Sequence, residues 1–106
     1  MAKYRISRRA DADVAAIWDY IAADSIEAAD KVELAIHNEI KRLAGMPGIG
    51  HEREDIGNPS YRFWRVYSYL VAYRMEGRTL IVVRVVHGAR DLRRIFKPVK
   101  RRRKRR

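Results

Sequence analysis

The spacing of apolar residues along this chain changes period several times, and each change marks the border of an element. Lys3 to Ile6 alternates, with Tyr4 and Ile6 on one face and Lys3 and Arg5 on the other, which predicts a short first strand. Ser7 offers an N-cap. From Ala10 the positions Ala10, Val14, Ile17 and Ile21 follow a helical stripe bordered by Trp18 and Tyr20, with Asp11 and Asp13 in its first turns. Asp24 and Ser25 interrupt that stripe, and Asp24 followed by Glu27 has the spacing of a capping box, which predicts that a second helix starts there. Its stripe is Ala29, Val32, Ile36, Ile40 and Leu43, closed by Gly45 with Pro47 beyond. The two helices are expected to form a hairpin over Arg8 to Ala44 with a very short link.

The helical period ends at Met46, and the stretch to Ser60, with three glycines and two prolines, reads as a loop. Alternation then returns. Tyr61 to Tyr67 and Tyr69 to Met75 are two strands separated by Ser68 alone, so their turn is expected to take one residue from each flank. Glu76-Gly77-Arg78 is the next turn and leads into Leu80 to Val86, apolar except for Arg84 and rich in β-branched residues. Such a run suits a central strand covered on both faces. It stops at His87-Gly88, and Asp91 to Pro98 is expected to form one helical turn that lays Leu92, Ile95 and Phe96 back on the domain.

The order strand, helix, helix, strand, strand, strand predicts an α+β fold, β-α-α-β-β-β, with the helical hairpin packed on one face of a mainly antiparallel four-stranded sheet. The expected core includes Ile6, Ile17, Ile21, Val32, Ile36, Ile40, Val71, Val83 and Val85. A chain of 106 residues suits one domain, here residues 1–98, followed by a basic segment, residues 99–106.

Composition narrows the function classes. The chain has no cysteine, which excludes disulfides, thiolate catalysis and zinc–thiolate sites and suits a reducing cytoplasm. Its apolar runs are too short to span a membrane, and Met1 to Tyr4 carries no secretory pattern. The formal net charge is +11, and Lys100 to Arg106 supplies seven of those charges. Like charges at that density repel and bury nothing, so this tail is expected to be disordered unless nucleic acid, an acidic protein or an anionic surface orders it.

Candidate chemistry is sparse. His51 to Asp55 joins a histidine to three carboxylates, but neither the second histidine of a zincin nor the glycine-centred calcium loop is there, and a solvated loop explains it. The serines Ser7, Ser25, Ser60 and Ser68 lack a Gly-x-Ser-x-Gly setting. His87, Arg90 and Asp91 follow the central strand, where histidine can move a proton and arginine can clamp a phosphate, although ion pairing with Asp91 or a helix carboxylate explains Arg90 as well. Tyr61-Arg62-Phe63-Trp64-Arg65 suggests base stacking, yet alternation puts Tyr61, Phe63 and Arg65 on one face and Arg62, Trp64 and Val66 on the other, the pattern of an aromatic core with one arginine per face. Leu34 falls opposite the buried stripe of its helix, either a scattered surface leucine or a partner contact.

Taken together the chain resembles the RelE/ParE superfamily of toxins from type II toxin–antitoxin modules, and within it the ParE-like branch. The likeness spans Tyr4 to Phe96. It rests on Tyr4-Arg5-Ile6-Ser7, on Ala10 with Asp13-Val14, on Ile17 to Ile21 and on Ala28-Ala29. It continues through Leu43 to Pro47 with Ile49-Gly50, Tyr61-Arg62, Tyr69-Leu70-Val71-Ala72-Tyr73-Arg74 and Arg84 to Asp91. The resemblance implies a growth-inhibiting toxin held by an acidic, ParD-like antitoxin in a hetero-oligomer, with no cofactor and no membrane. It implies one of two targets: the ribosome, for RelE-like mRNA endoribonucleases, or DNA gyrase, for ParE-like members that are not nucleases.

Residue by residue, Arg90 matches the C-terminal arginine of the nucleases, but Leu70 stands where their third-strand arginine falls and Phe96 where their tyrosine falls. Glu52, Glu54 and Asp55 occupy the loop where nucleases tend to carry lysines. A cleavage site needs cations around the phosphate and a group to move a proton, so the gyrase reading is favoured. For the nuclease alternative the catalytic candidates are His87, Arg90 and Arg62. Candidates for partner binding are Leu34, Trp18, Arg65, Arg74, Arg90, Lys100, Arg101 and Arg102. A third reading, from another class, is a non-toxic nucleic-acid-binding module that uses the basic tail.

Overall fold

The computed structural model describes residues 3–53, 59–88 and 92–96, apart from the side chain of Arg93. The elements are β1 (Lys3–Ile6), α1 (Arg8–Ala22), α2 (Ile26–Gly45), β2 (Arg62–Val66), β3 (Tyr69–Glu76), β4 (Thr79–His87) and the short α3 (Leu92–Ile95), with one 3₁₀ turn at Pro47–Ile49. The sheet order is β1-β4-β3-β2. β2, β3 and β4 form an antiparallel meander, and β1 returns parallel to β4. This is the expected α+β architecture, with a mixed sheet.

Both helices begin at serine caps. The Ser7 hydroxyl accepts from the Ala10 N–H at 3.0 Å and the Ser25 hydroxyl from the Ala28 N–H at 3.0 Å. The second cap corrects the expectation at Asp24. Ser25 holds the extended backbone that a cap needs, φ −155° and ψ 112°, so the helix starts one residue later.

The main core lies between the hairpin and the sheet and gathers Ala10, Val14, Ile36, Ile40, Leu43, Val71, Tyr73, Leu80, Val82 and Val85, with Ile6, Ile17 and Val32 packed at its border. Ile21 is only half-buried, at the end of α1. Val83 is not in this core. β3 and β4 slip by one residue where Ala72 pairs with Arg84 and Tyr73 with Val82, and the bulge sends Val83 to the opposite face. There it joins a second cluster of Phe63, Leu70, Ala72, Val86, Leu92 and Phe96. α3 closes that cluster, as the sequence predicts: Leu92 and Phe96 are buried, and Phe96 meets Phe63 and Tyr61 edge-on at 5.4 and 5.6 Å.

The turn between β2 and β3 is Tyr67-Ser68, not one residue from each strand. Tyr67 has φ +56°, a left-handed conformation at the first turn position that matches the twist of a two-residue hairpin. Gly77, at φ +60°, does the same between β3 and β4 without steric cost.

Candidate partner-binding surfaces

β1 ends before β4 does, and α1 fills the gap. After the last pair, Ile6 with Val82, the Ser7 N–H still reaches the Val82 carbonyl at 3.0 Å and the Ser7 hydroxyl donates to the Val83 carbonyl at 3.2 Å. Beyond that point Asp13 takes the place of a strand. Its Oδ2 accepts from Arg84 Nε at 2.8 Å and from the Val85 N–H at 2.9 Å, and its Oδ1 accepts from Arg84 Nη2 at 3.2 Å. One carboxylate thus satisfies an edge amide and neutralises the lone charge of an apolar strand. Next to this contact a groove of about 350 Å³ runs between α1 and the end of the sheet, lined by Ile17, Tyr20, Tyr69, Val85 and His87 among others. Tyr20 is 79 % exposed at its rim, and His87 meets Tyr69 edge-on at 5.4 Å.

A second surface lies at the opposite edge of the sheet. His51 exchanges two main-chain hydrogen bonds with Phe63, 2.9 and 2.8 Å, and its ring stacks on Trp64 at 5.8 Å. Trp64 donates to Glu39 at 2.7 Å and carries the Arg42 guanidinium 5.6 Å from its ring centre, which ties β2 to α2. Around this edge is a cleft of about 480 Å³ lined by His51, Arg53, Phe63, Trp64, Arg65 and Leu70.

Tyr73 anchors the segment that leads to His51. Its buried hydroxyl accepts from the Gly50 N–H at 3.0 Å and donates to the Pro47 carbonyl. Burial pushes the phenol above its ordinary pKa of 10.0, against smaller lowering effects from the Gly50 hydrogen bond and the Arg62 charge. A raised phenol pKa favours the protonated folded form, so the contribution is fully present below pH 10 and is lost as pH rises beyond it. In an alkaline titration followed by phenolate absorbance, Tyr73 is expected to ionise above the ordinary phenol value, together with loss of the fold. Gly50 is equally constrained, because a Cβ there would sit 2.2 Å from the Tyr73 hydroxyl. Gly50→Ala is therefore expected to cost about 1 to 3 kcal/mol in denaturant unfolding.

The structure separates the catalytic candidates. Arg62 turns to the Gly50 carbonyl at 2.9 Å and to Glu52 at 3.4 Å. His87 sits in the groove beside α1, roughly 13 Å away along the strand direction, since Arg62 and His87 are four register steps apart. Arg90 lies outside the described residues, as do Lys100, Arg101, Arg102, Glu54 and Asp55. Leu70 and Phe96 are both buried in the second apolar cluster.

The partner-binding candidates also divide. Arg74 pairs with Glu76 at 3.0 Å, and Trp18 donates to Asp30 at 2.9 Å across the hairpin. Leu34 is 62 % exposed, on the outer face that its position in the helical period predicts. Arg65 is exposed beside Gly88. Sequence reasoning missed Asp13, Arg84, Tyr73 and Glu39 as organising residues. For the first two a signal existed: a single arginine inside an apolar strand, and an aspartate next to the apolar stripe of a helix.

A family profile described as "ParE toxin of type II toxin-antitoxin system, parDE" matches residues 4–102. The chain is 33 % identical over 94 residues to "Toxin ParE1" of Caulobacter vibrioides, an alignment that covers 88 % of this chain and 96 % of that protein. The fold is also similar to a solved structure titled "Chromosomal ParDE TA system from P. aeruginosa", with a TM-score of 0.69 and 24 % identity, covering 82 % of this chain and 96 % of that one.

Proposed function

Because the chain belongs to the ParE toxin family of type II toxin–antitoxin systems, we propose that it inhibits bacterial growth by poisoning DNA gyrase and is neutralised by a cognate, acidic ParD-like antitoxin. The observation that carries the choice of target is the second apolar cluster. Leu70 and Phe96 stand where the related nucleases carry an arginine and a tyrosine, and here both are buried among Phe63, Ala72 and Val86. Apolar side chains there neither stabilise a phosphorane nor move a proton. His87 and Arg62 lie too far apart to replace them on one phosphate. A gyrase poison works in the cytoplasm. In this reading residues 1–98 carry the toxin activity and residues 99–106 are an appendage, and the apolar groove beside Tyr20 and the exposed Leu34 supply contact area for partners.

The test is to induce the chain in a bacterium without antitoxin and to follow DNA and protein synthesis separately. Gyrase poisoning gives double-strand breaks, a DNA-damage response and filamentous cells while translation continues at first. Rapid translation arrest with mRNA cut at ribosomes, lost in a folded His87→Ala or Arg90→Ala variant, would establish the nuclease reading instead.

A further inference from the structure

The charge of this chain is divided between two sides. Residues 10–39, most of the helical hairpin, hold eight carboxylates and one lysine, a net −7 in a chain of +11, so the rest carries +18. The sheet face turned away from the hairpin gathers part of that excess in one corner. Leu80 and Val82 point into the main core, so Thr79 and Ile81 point to the other face, and their register partners point with them. Two rows result across three strands: Lys3, Thr79 and Glu76, then Arg5, Ile81 and Arg74. Neighbouring strands lie about 4.8 Å apart, which sets the backbones of Arg5 and Arg74 about 10 Å from each other. Glu76 is shared by both guanidinia, 3.6 Å from Arg5 and 3.0 Å from Arg74, and Arg78 is exposed in the adjoining turn. Among the described residues of this corner, one carboxylate meets four cations.

The last part of the chain starts from the same face. Tyr61, one step before the pair of Arg62 with Tyr73, continues the second row beyond Arg74 and packs on Phe96 at 5.6 Å. Residues 92–106 contain ten Lys and Arg and no carboxylate. Corner and segment together hold fourteen cations; with Glu76, Glu54, Asp55 and Asp91 all set against them, ten charges remain. The surroundings narrow the ligand. Among the described residues the exposed large apolar side chains lie elsewhere, Tyr4 and Met75 on the hairpin side of the sheet and Tyr20, Ile26 and Leu34 on the helices, so no lipid anchor accompanies the charge. Phe63 and Phe96 are buried, which leaves neither free to stack on the bases of a single strand. Within the two rows Thr79 is the one neutral hydrogen-bonding side chain, too little to read the 2′-hydroxyls of duplex RNA.

We propose that this corner and the basic segment after Phe96 bind the phosphate backbone of duplex DNA without regard to sequence, with the acidic hairpin turned outward. The inference goes beyond the toxin reading and does not depend on it, and it gives residues 99–106 a role of their own. The test is the anisotropy of a fluorescent mixed-sequence duplex of about 20 base pairs, titrated with the full-length chain between about 50 and 200 mM salt. The affinity is expected to fall by at least about a thousandfold over that range. Lys3→Gln, Arg5→Gln and Arg78→Gln together should weaken binding by at least about tenfold and flatten the logarithmic salt slope by about 2 to 3. Glutamine at each of positions 100–106 should flatten it by about 3 or more. The matched control, Arg8→Gln with Lys31→Gln and Lys41→Gln, changes net charge equally on the hairpin and should stay within about threefold of wild type. All six side chains are exposed, and an unchanged urea midpoint confirms the fold. Arg78→Gln alone, which alters only a turn, should flatten the slope by about 1. Equal losses in the two triple variants, no loss in the first, or no change with glutamine at 100–106 would overturn the proposal. So would binding of the single strand, the RNA duplex, polyglutamate or phosphatidylserine vesicles as tight as that of the DNA duplex.

Discussion

Asp13→Ala is expected to lower the unfolding free energy by about 3 to 5 kcal/mol, the range for removing one partner of a largely buried ion pair. The side chains of Asp13 and Arg84 are 12 % and 17 % exposed, so water does little to replace the lost contact. Two groups are stranded at once: a guanidinium inside an otherwise apolar strand, and the Val85 N–H that no strand reaches. The second pair that Asp13 makes, with Arg9 at 3.6 Å, is mostly solvated and adds little. Asp13→Asn keeps an oxygen for the amide but loses the charge, and is expected to lose about 1 to 3 kcal/mol. Urea unfolding is the measurement, with a lower midpoint at an unchanged slope as the expected outcome. Asp13→Ala combined with Arg84→Ala should recover part of the loss, because the stranded charge is then gone.

Ile36→Ala is expected to cost about 2 to 5 kcal/mol, the span for removing a buried branched side chain and leaving a cavity. Ile36 is fully buried on the inner stripe of α2, in the cluster that also holds Ile40, Leu43, Val71 and Val82. Because the sheet beneath it is rigid, the cavity closes only in part. A domain of this size commonly has about 5 to 15 kcal/mol in total, so the loss is large enough to lower the steady-state amount of folded toxin. The matched control is Leu34→Ala. That side chain is exposed, and its removal should change stability by no more than about 0.5 kcal/mol in the same unfolding experiment.

The helical hairpin was legible because each helix writes its buried face as a stripe, and no other element produces that spacing. The capping serine was less legible, since Asp24 and Ser25 are both capable caps and the backbone decides between them. The bulge in β4 left no trace at all. Val82, Val83, Val85 and Val86 are alike in character, so a slip of one residue that sends Val83 away from the hairpin changes nothing in the apolar pattern. Tyr67 was equally silent, because nothing in a tyrosine advertises a positive φ. At the surfaces, the sequence offered His87 and Arg62 as possible partners, and their distance only emerges from the register of three strands. Arg84 was the reverse case. It was visible as an oddity in its strand, yet its carboxylate is 71 residues away and cannot be picked from the other acidic positions without the fold.

The parallel pairing of β1 with β4 has a temporal consequence. Ser7 and Val83 touch although 76 positions separate them, so the first strand has no sheet to join until the last one has been synthesised. A nascent chain leaves the ribosome with both helical segments made but without the floor that buries Val14, Ile36 and Ile40, and closing so long a loop is slow compared with forming local turns. Both clefts described above are built on that sheet. An interrupted or truncated translation product that stops before Thr79 therefore carries neither in working form, and the folded domain comes into being only once β4 slides between its two neighbours.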